Sequence, residues 1–410
     1  MKLDLFIARK IRNKENSGRT VSSRIIKIAI LAVSLGIVLI LISISVGFGF
    51  QEKIKEKTKA FSGDSIIIPF ENNTSVISSN PVSVNELLSP DILLNDFLES
   101  YNLIINKAGI IKFKNEFDGI IFKGIDKNFD NKKTLFSNFL GSNLSFNDEI
   151  SNQILLSKYV ANKLSLKVGD KLELYFDFDK SLFPVKRNFI LSGIYETGFY
   201  EYDENYGFVD VRHLQKINKW KPNEYGGVEI FYKENINNSS FSKLLYNNLP
   251  SDLDLIKLED RYKTIFDWIK LFDFNILIII SVVFIVATLN MSTALLTLIL
   301  EKIKTIGILK SIGANNYLLQ KIFLWNGLFI LLKGVFFGNL IGLLLIVIQK
   351  VYGLVKLDPS IYILDKVPVI IDFKNILFVN FGIILVCMLS LVIPSLIISR
   401  ISPSKVIRIQ

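Results

Sequence analysis

Few residues in this sequence could carry out chemistry. The chain has one histidine, His213, and one cysteine, Cys387, which lies inside a long apolar run. These counts exclude a zinc site built from several His and Cys ligands, and they exclude a disulfide within the chain. The placement of Cys387 also excludes a Cys/His catalytic pair. We expect His213 to be a surface residue of a helix without a chemical role.

Carboxylate pairs and phosphate-binding motifs are the other candidates for catalysis. The pairs Asp177/Asp179 and Asp203/Glu204 lie in polar stretches, which is typical of a solvated face rather than of acid–base work. The sequence contains no G-x-x-x-x-G-K-[ST] motif and no Gly-Lys dipeptide, so it cannot form a standard P-loop. We therefore predict that the chain is not an enzyme and binds no metal ion or cofactor of its own.

The composition indicates a membrane protein. Half of the 410 residues are hydrophobic and the mean hydropathy is +0.39, which is high for a soluble protein of this size. The net charge of +10 is unevenly distributed, because residues 51–273 are net acidic and the excess of Lys and Arg lies beside the apolar runs. That arrangement is expected of membrane orientation and not of a nucleic-acid interface.

Four uncharged or nearly uncharged runs are long enough to cross a hydrocarbon core of about 30 Å. The first run is too long for a cleavable signal peptide and is better explained as an uncleaved anchor. Lys and Arg in the short flanks place both termini and the segment 301–321 in the cytoplasm. The predicted order is a cytoplasmic segment 1–24, span one 25–50, an outside domain with a stalk 51–273, span two 274–300, a cytoplasmic segment 301–321, span three 322–350, an outside loop 351–373, span four 374–399 and a cytoplasmic tail 400–410.

The outside domain is large enough for its own core and shows both strand and helix patterns, so we predict an α+β domain. Predicted strands are SIIIP, VGDKLELYF, RNFILSGIY and YGFVDV, with a hairpin formed by AGIIKFK and DGIIFKGID. Predicted helices are ILLSKYVANKLSL, VRHLQKI and SSFSKLLYNNL. From Asp260 the pattern becomes helical and continues into span two, which predicts a stalk.

The segment EKIKTIGILKSIGANN, residues 301–316, predicts a short helix between spans two and three. Its apolar residues do not form one clean stripe, which favours a helix with protein on more than one side over one that lies on a membrane surface. Gly313 suits a left-handed helix end, and Asn315 or Asn316 can cap the next helix. An ordinary loop between spans is the alternative.

This segment resembles the coupling segment of the FtsX/MacB superfamily of ABC transporter permeases, with its acidic start, central Ile-Gly and terminal Gly-Ala. The opening LDLFIARKI, the stretches ILLSKYVANKLSLKVGDKLELYF and RNFILSGIYETGFYEYDENYGFVDV, and the tail ISPSKVIRIQ are similar to LolC/LolE-type lipoprotein-releasing permeases, in family order and spacing. The resemblance implies a bacterial inner-membrane protein with four transmembrane helices and a MacB-type periplasmic domain between spans one and two.

The resemblance also implies partners and a function. The chain would be a permease subunit that pairs with a second permease, as a homo- or heterodimer, and with a cytoplasmic LolD-like ATPase that holds the ATP and Mg²⁺. The complex would pass lipoproteins from the inner membrane to a LolA-like periplasmic carrier. The alternatives are a MacB-like efflux permease, an FtsX-like regulator of a periplasmic hydrolase, and a membrane-anchored receptor without an ATPase.

Three sets of site residues follow from the resemblance, each with a structural alternative. The expected ATPase contact could instead pack on neighbouring spans, the expected carrier-binding hook could be a plain hairpin turn with Phe183 folded onto the domain, and the expected lipoprotein groove could be interfacial packing. The ATPase-contact set is Glu301, Lys302, Ile306, Gly307, Leu309, Gly313 and Ala314; the hook is Leu182, Phe183 and Pro184; the groove is Val46, Phe48, Phe50, Phe266 and Ile269. Lys333, a charge inside span three, either extends towards the cytoplasm or meets a charge in the permease dimer.

Overall fold

Long apolar helices and a mixed sheet make up the computed structural model. It describes residues 21–72, 75–87, 98–127, 129, 138–144, 146, 149–177, 184–233, 238–358, 364 and 366–401. Helices α1 to α11 cover Val21–Ser62, Val84–Leu87, Lys158–Lys163, Tyr200–Asn205, Val211–Asn218, Asn238–Asn248, Leu258–Arg261, Lys263–Glu301, Ile303–Ser311, Asn316–Tyr352 and Phe373–Ser395. Short 3-10 turns cover Phe70–Asn72 and Leu396–Arg400.

The chain divides into two compact units. The span unit comprises residues 1–51, 268–356 and 366–410, and the domain unit comprises residues 52–267 and 357–365. Helices α1, α8, α10 and α11 are long and apolar enough to cross a membrane, and they are the four such helices in the described part of the chain. The prediction of four spans is therefore confirmed.

The domain unit is built on a mixed sheet. Strands β1 to β12 cover Ser65–Pro69, Val82–Ser83, Leu98–Phe113, Glu116–Ile125, Asn138–Gly141, Gln153–Ser157, Lys171–Phe176, Val185–Glu196, Tyr206–Asp210, Glu224–Tyr225, Gly227–Tyr232 and Leu253–Lys257. The main sheet has the order β12-β1-β11-β3-β4-β9-β6-β8-β5, with β7 paired to β3 and β8. β4 and β9 run parallel, as do β6 and β8, while the other pairs in this sheet are antiparallel. The α+β prediction is confirmed.

One predicted helix is wrong in its first half. Residues 154–166 were expected to be helical throughout, yet Gln153–Ser157 form strand β6 between β8 and β9. Ile154, Leu155 and Leu156 are all buried in the sheet, as in a strand covered on both faces. The Ser157 side chain accepts a hydrogen bond from the backbone N–H of Val160 at 3.1 Å, so the helix begins only at Lys158.

The span unit is held together by close contact between α1 and α10. Gly334, Gly338 and Gly342 lie one turn apart on α10, and each lies against a residue of α1. A Cβ added at Gly338 would lie 2.7 Å from the Cβ of Ile37. Small residues spaced by four let two helix backbones approach closely in a membrane, and this stripe is such an interface.

An amide pair joins α10 to α11. The Asn339 Nδ2 donates to the Asn380 Oδ1 at 2.7 Å, and the Asn380 Nδ2 donates to the Asn339 Oδ1 at 2.9 Å. Each amide also donates to a carbonyl oxygen on its own helix, four residues earlier. The pair therefore satisfies polar groups that would otherwise face an apolar environment.

Candidate functional site

The segment between α8 and α10 forms a short helix followed by a tight reversal. α8 ends at Glu301, α9 covers Ile303–Ser311, and Gly313 then adopts φ +96°. That conformation is left-handed, which glycine adopts without a steric penalty. The Asn315 side chain accepts from the backbone N–H of Leu318 at 2.8 Å and caps α10. The predicted helix, the glycine reversal and the asparagine cap are confirmed.

The buried side of α9 differs from the one expected for a partner contact. Ile306 is 0% exposed and belongs to the buried cluster of the span unit, together with Leu298 and Phe323. Gly307 is also buried. Ile306 is therefore covered by its neighbours within the span unit and presents no exposed surface on α9.

The rest of the expected ATPase-contact set is divided between the core and the surface. Leu309 and Ala314 pack partly against the same cluster as Ile306. Glu301 is exposed and lies 3.5 Å from the Lys302 ammonium. Gly313 is exposed at the reversal.

The outward face of α9 carries apolar side chains that the expected set omitted. Ile308 is 56% exposed and Ile312, just after the helix, is 75% exposed. Lys304, Thr305 and Ser311 are exposed beside them. We call the surface formed by Lys304, Thr305, Ile308, Ser311 and Ile312 the α9 face. The imperfect apolar stripe in the sequence signalled this second apolar side, but not which side would be outward.

Lys310 fixes α9 to the end of the last span. Its ammonium donates to the carbonyl oxygens of Ile398 at 2.7 Å and Ile401 at 2.8 Å, and Ser399 O lies 3.4 Å away. These carbonyls belong to the 3-10 turn after α11 and the residue that follows it, where backbone acceptors lack partners within the helix. Burial lowers the pKa of Lys310. The Lys310 contact joins α9 to the end of α11.

The outer ends of α1 and α8 meet, but not as an open groove. The Phe50 ring stacks on Phe272 with centroids 5.6 Å apart, and Phe48 packs into a small buried apolar cluster. Val46 is half-buried. Ile269 is 7% exposed, so it is buried rather than part of an exposed apolar surface.

Phe266, in the domain unit, is likewise buried. The exposed apolar side chains of this part of α8 are instead Trp268, Leu271, Phe274 and Leu277. The sequence could not distinguish the two sets, because α8 is apolar on every side within the span.

The expected carrier-binding hook lies largely outside the described residues. Leu182 and Phe183 are among the residues that the structure does not describe, whereas Pro184 is exposed at the start of β8. Pro184 lines an open groove of about 1070 Å³ with Ile110 and Phe117 from the β3–β4 hairpin and Tyr175 from β7. Ile110 and Phe117 are exposed large apolar residues.

His213 is a structural residue of α5 and is not on the surface. Its Nε2 lies 3.0 Å from the Ser151 carbonyl oxygen, and its ring packs on Phe189 with centroids 4.7 Å apart. Burial lowers the pKa of His213. The expectation of a surface position is wrong, because the amphipathic helix turns this residue towards the sheet core.

Asp203 does not lie on a solvated face as expected, and Asp179 lies outside the described residues. Asp203 is buried and accepts hydrogen bonds from the Thr197 hydroxyl and from the backbone N–H groups of Thr197 and Gly198. Burial raises its pKa, and these hydrogen bonds oppose the rise. Asp177 is exposed. Among the described residues there is no group of three or more metal-ligating side chains.

Sequence reasoning missed a buried ion pair at the end of α1. The Lys123 ammonium lies 2.7 and 2.9 Å from the two Glu229 carboxylate oxygens and donates to the Phe61 carbonyl oxygen at 2.6 Å. Both side chains are 1% exposed, and the ammonium lies 4.6 Å from the Phe61 ring centroid. Burial lowers the pKa of Lys123, and the Glu229 carboxylate opposes that shift. The pair joins β4, β11 and the last turn of α1.

Two family models match the sequence. The model described as MacB-like periplasmic core domain matches residues 28–236, about half of the chain, and the model described as FtsX-like permease C-terminal matches residues 277–403. The class is thus a multi-pass membrane protein with a MacB-like periplasmic core domain and an FtsX-like permease part. The chain belongs to the FtsX/MacB superfamily of ABC transporter permeases.

Similar proteins include LolC- and LolE-type permeases. The lipoprotein-releasing system transmembrane protein LolE of Haemophilus influenzae is 20% identical over 395 residues, covering 93% of this chain and 94% of that protein. LolC of Buchnera aphidicola subsp. Schizaphis graminum is 25% identical over 393 residues and covers 93% of both chains. An uncharacterized membrane protein of the same Buchnera strain is 29% identical over 297 residues, covering 70% of this chain and 64% of that protein.

Two solved structures are similar to part of the chain. The periplasmic region of MacB from Actinobacillus actinomycetemcomitans is 11% identical, with a TM-score of 0.35, and the match covers 50% of this chain and 93% of that one. The extracellular domain of YknZ, a noncanonic ABC-type transporter from Gram-positive bacteria, is 15% identical, with a TM-score of 0.33. The match covers 47% of this chain and 100% of that one. Both scores are below 0.5, so the fold class depends on the chain's own elements and on the family models.

Proposed function

We propose that the chain is the permease subunit of an inner-membrane ABC transporter that extracts lipoproteins and passes them to a periplasmic carrier. The observation that carries this proposal is the similarity to LolE and LolC over more than 90% of both chains. ATP and Mg²⁺ bind to a separate ATPase, and the permease works as a homo- or heterodimer. Both termini and α9 lie in the cytoplasm, in accord with the Lys and Arg residues of the short flanks.

The ATPase binds the α9 face. Ile308 and Ile312 are the apolar side chains available for burial against it, and Lys304 adds a charge at the rim. Burying one such side chain is worth roughly 1.5–3 kcal/mol, so two of them can anchor a partner. Ile306 holds α9 on the spans from the opposite side.

Force from the ATPase passes through contacts that exist in the chain. Lys310 transmits displacement of α9 to the end of α11, and the continuous backbone transmits it to α8 and α10. On the outer side, the carrier docks at the apolar groove beside Pro184, where Phe117 is exposed.

The α9 face is tested by charge substitution. The chain is co-expressed with the ATPase subunit of its own organism, and the paired change Ile308→Asp with Ile312→Asp is compared with Ile190→Asp. Ile190 is a partly exposed isoleucine on β8, in the domain unit, with 41% of its surface accessible. We expect ATPase recovery with the permease to fall at least about tenfold in the paired variant and to stay unchanged in the control. Equal ATPase recovery with the wild type, the paired variant and the control would show that the ATPase does not bind the α9 face.

The transport reaction itself is tested in proteoliposomes. A triacylated lipoprotein, ATP and a soluble carrier are supplied to the reconstituted permease–ATPase complex. Appearance of the lipoprotein on the carrier, dependent on ATP, is the expected result. Activation of a periplasmic hydrolase without such release would identify an FtsX-like regulator instead, and ATP-driven movement of small molecules would identify a MacB-like efflux permease.

A further inference from the structure

A cavity of about 250 Å³ in the domain unit has no role in the transport scheme. Its floor is apolar and consists of isoleucines from β1, β3 and β12, which form a small cluster of their own. Its walls carry short polar side chains, and Asp260 and Arg261 of α7 complete the lining. The floor residues are Ile66, Ile68, Ile104 and Ile256, and the polar wall residues are Asn72, Ser75, Ser78 and Asn106.

Arg261 faces this cavity without an acceptor. No hydrogen bond or ion pair of its guanidinium is found among the described residues. Its ring contact is with its neighbour Tyr262, 5.8 Å away, and the buried Glu229 carboxylate, which Lys123 binds, acts on it electrostatically. The side chain is partly buried. A guanidinium has five N–H donors, and it binds carboxylate and phosphate oxygens in pairs. The Glu229 carboxylate offsets part of the Arg261 charge but accepts no hydrogen bond from it, so the unused N–H donors still favour an anion in the cavity.

Asn106 is a second polar residue whose bonding within the protein is incomplete. It is 3% exposed, its Nδ2 donates to the Val76 carbonyl oxygen at 3.2 Å, and its Oδ1 has no partner among the described residues. Buried side-chain oxygens are nearly always hydrogen-bonded in proteins. The lining thus combines an unused donor group, an unused acceptor and an apolar floor.

We propose that this cavity binds a small organic anion. Arg261 donates hydrogen bonds to its single carboxylate or phosphate group, and the isoleucine floor contacts its apolar part. A cavity of about 150 Å³ holds benzene, so 250 Å³ suits an apolar part and head group of about ten non-hydrogen atoms together. Inorganic phosphate alone would leave the floor uncovered. The inference does not depend on the proposed transport function.

The test uses the full chain in lipid nanodiscs, with hexanoate and hexyl phosphate as probes. Binding is measured by equilibrium dialysis, and uptake by empty nanodiscs is subtracted. We expect saturable binding of at least one acid and none of hexylammonium. Arg261→Gln should weaken the binding at least about tenfold, because a charge-assisted contact is lost. The matched control Arg187→Gln removes an exposed arginine of β8 and should leave binding unchanged.

A second variant keeps the proposal falsifiable if Arg261→Gln disturbs folding. Val76 lines the cavity and is 43% exposed, so Val76→Trp fills the space from the outside without opening the sheet. It should abolish binding while Arg261 remains. Comparison of the two acids identifies the head group to which Arg261 donates. Undetectable binding of both acids, or equal binding to the wild type and to both cavity variants, would overturn the proposal.

Discussion

Removing the Lys123 ammonium should destabilise the domain unit far more than removing an exposed charge. In Lys123→Met, the Glu229 carboxylate stays 1% exposed and loses both contacts with the ammonium. Breaking a buried ion pair from one side costs about 3–5 kcal/mol where an uncompensated charge remains in the interior. The Arg261 guanidinium also acts on Glu229 and compensates part of its charge, so this range is the upper limit of the expected loss. The Phe61 carbonyl oxygen also loses its 2.6 Å hydrogen bond.

Hydrogen exchange is the suitable assay, because it reports local opening in a protein with two units, where one global unfolding free energy is not defined. A loss of 3–5 kcal/mol corresponds to exchange of the β4 and β11 amides faster by roughly two to three and a half orders of magnitude. The matched control is Lys163→Met, which breaks a 2.9 Å pair between an exposed lysine and Asp118. That change should cost no more than about 1 kcal/mol.

The double variant Lys123→Met with Glu229→Leu separates charge from packing. Replacing both members by apolar residues of similar size is often neutral or stabilising, so most of the lost protection should return. If Lys123→Met alone changes exchange no more than Lys163→Met, the buried pair does not hold β4, β11 and the end of α1 together, and the reasoning fails.

Two further predictions concern one contact in each unit. Gly338→Leu should separate α10 from α1, because its Cβ would lie 2.7 Å from Ile37 Cβ and 2.8 Å from Ser34 O. The sensitivity of the protein to protease in detergent should therefore rise. The control Phe336→Leu, on the exposed face of α10, should leave protease sensitivity unchanged. The pKa of His213 is lowered from 6.5 by burial, so the unfolded state binds the proton more readily. Protection of the α5 amides from hydrogen exchange should therefore be complete above pH 6.5 and decline below it. His213→Gln should remove this pH dependence. If the pH dependence is unchanged in that variant, His213 is not its source.

Local patterns in the sequence were enough to predict the four spans, one hairpin and one chain reversal. The four apolar runs, the hairpin of β3 and β4 and the reversal at Gly313 depend on residue type within a few positions. The stretch 154–166 failed because a short apolar run is compatible with a buried strand and with a helix. Its neighbours β8 and β9, distant in sequence, decided the first half.

In the candidate site, too, local sequence predicted the helix, whereas distant contacts decided which side chains are buried. The sequence located the helix at 303–311 but could not determine that Ile306 would be covered while Ile308 and Ile312 would be exposed, because apolar residues lie on several sides of this helix. The glycines of α10 have a recognisable spacing of four, yet their partner helix became evident only from the contacts with α1.

By itself, the sequence determined that this chain is a membrane protein with four spans, a large α+β domain and a short helix between spans two and three. Those properties follow from hydrophobic run length, flanking charge and residue periodicity, which are local. Tertiary structure alone decided that Lys123 meets Glu229, that Lys310 reaches the carbonyls after α11, and that Arg261 faces a cavity without an acceptor. Such contacts join residues far apart in the chain, and the free energy that selects them comes from burial and pairing in the folded state.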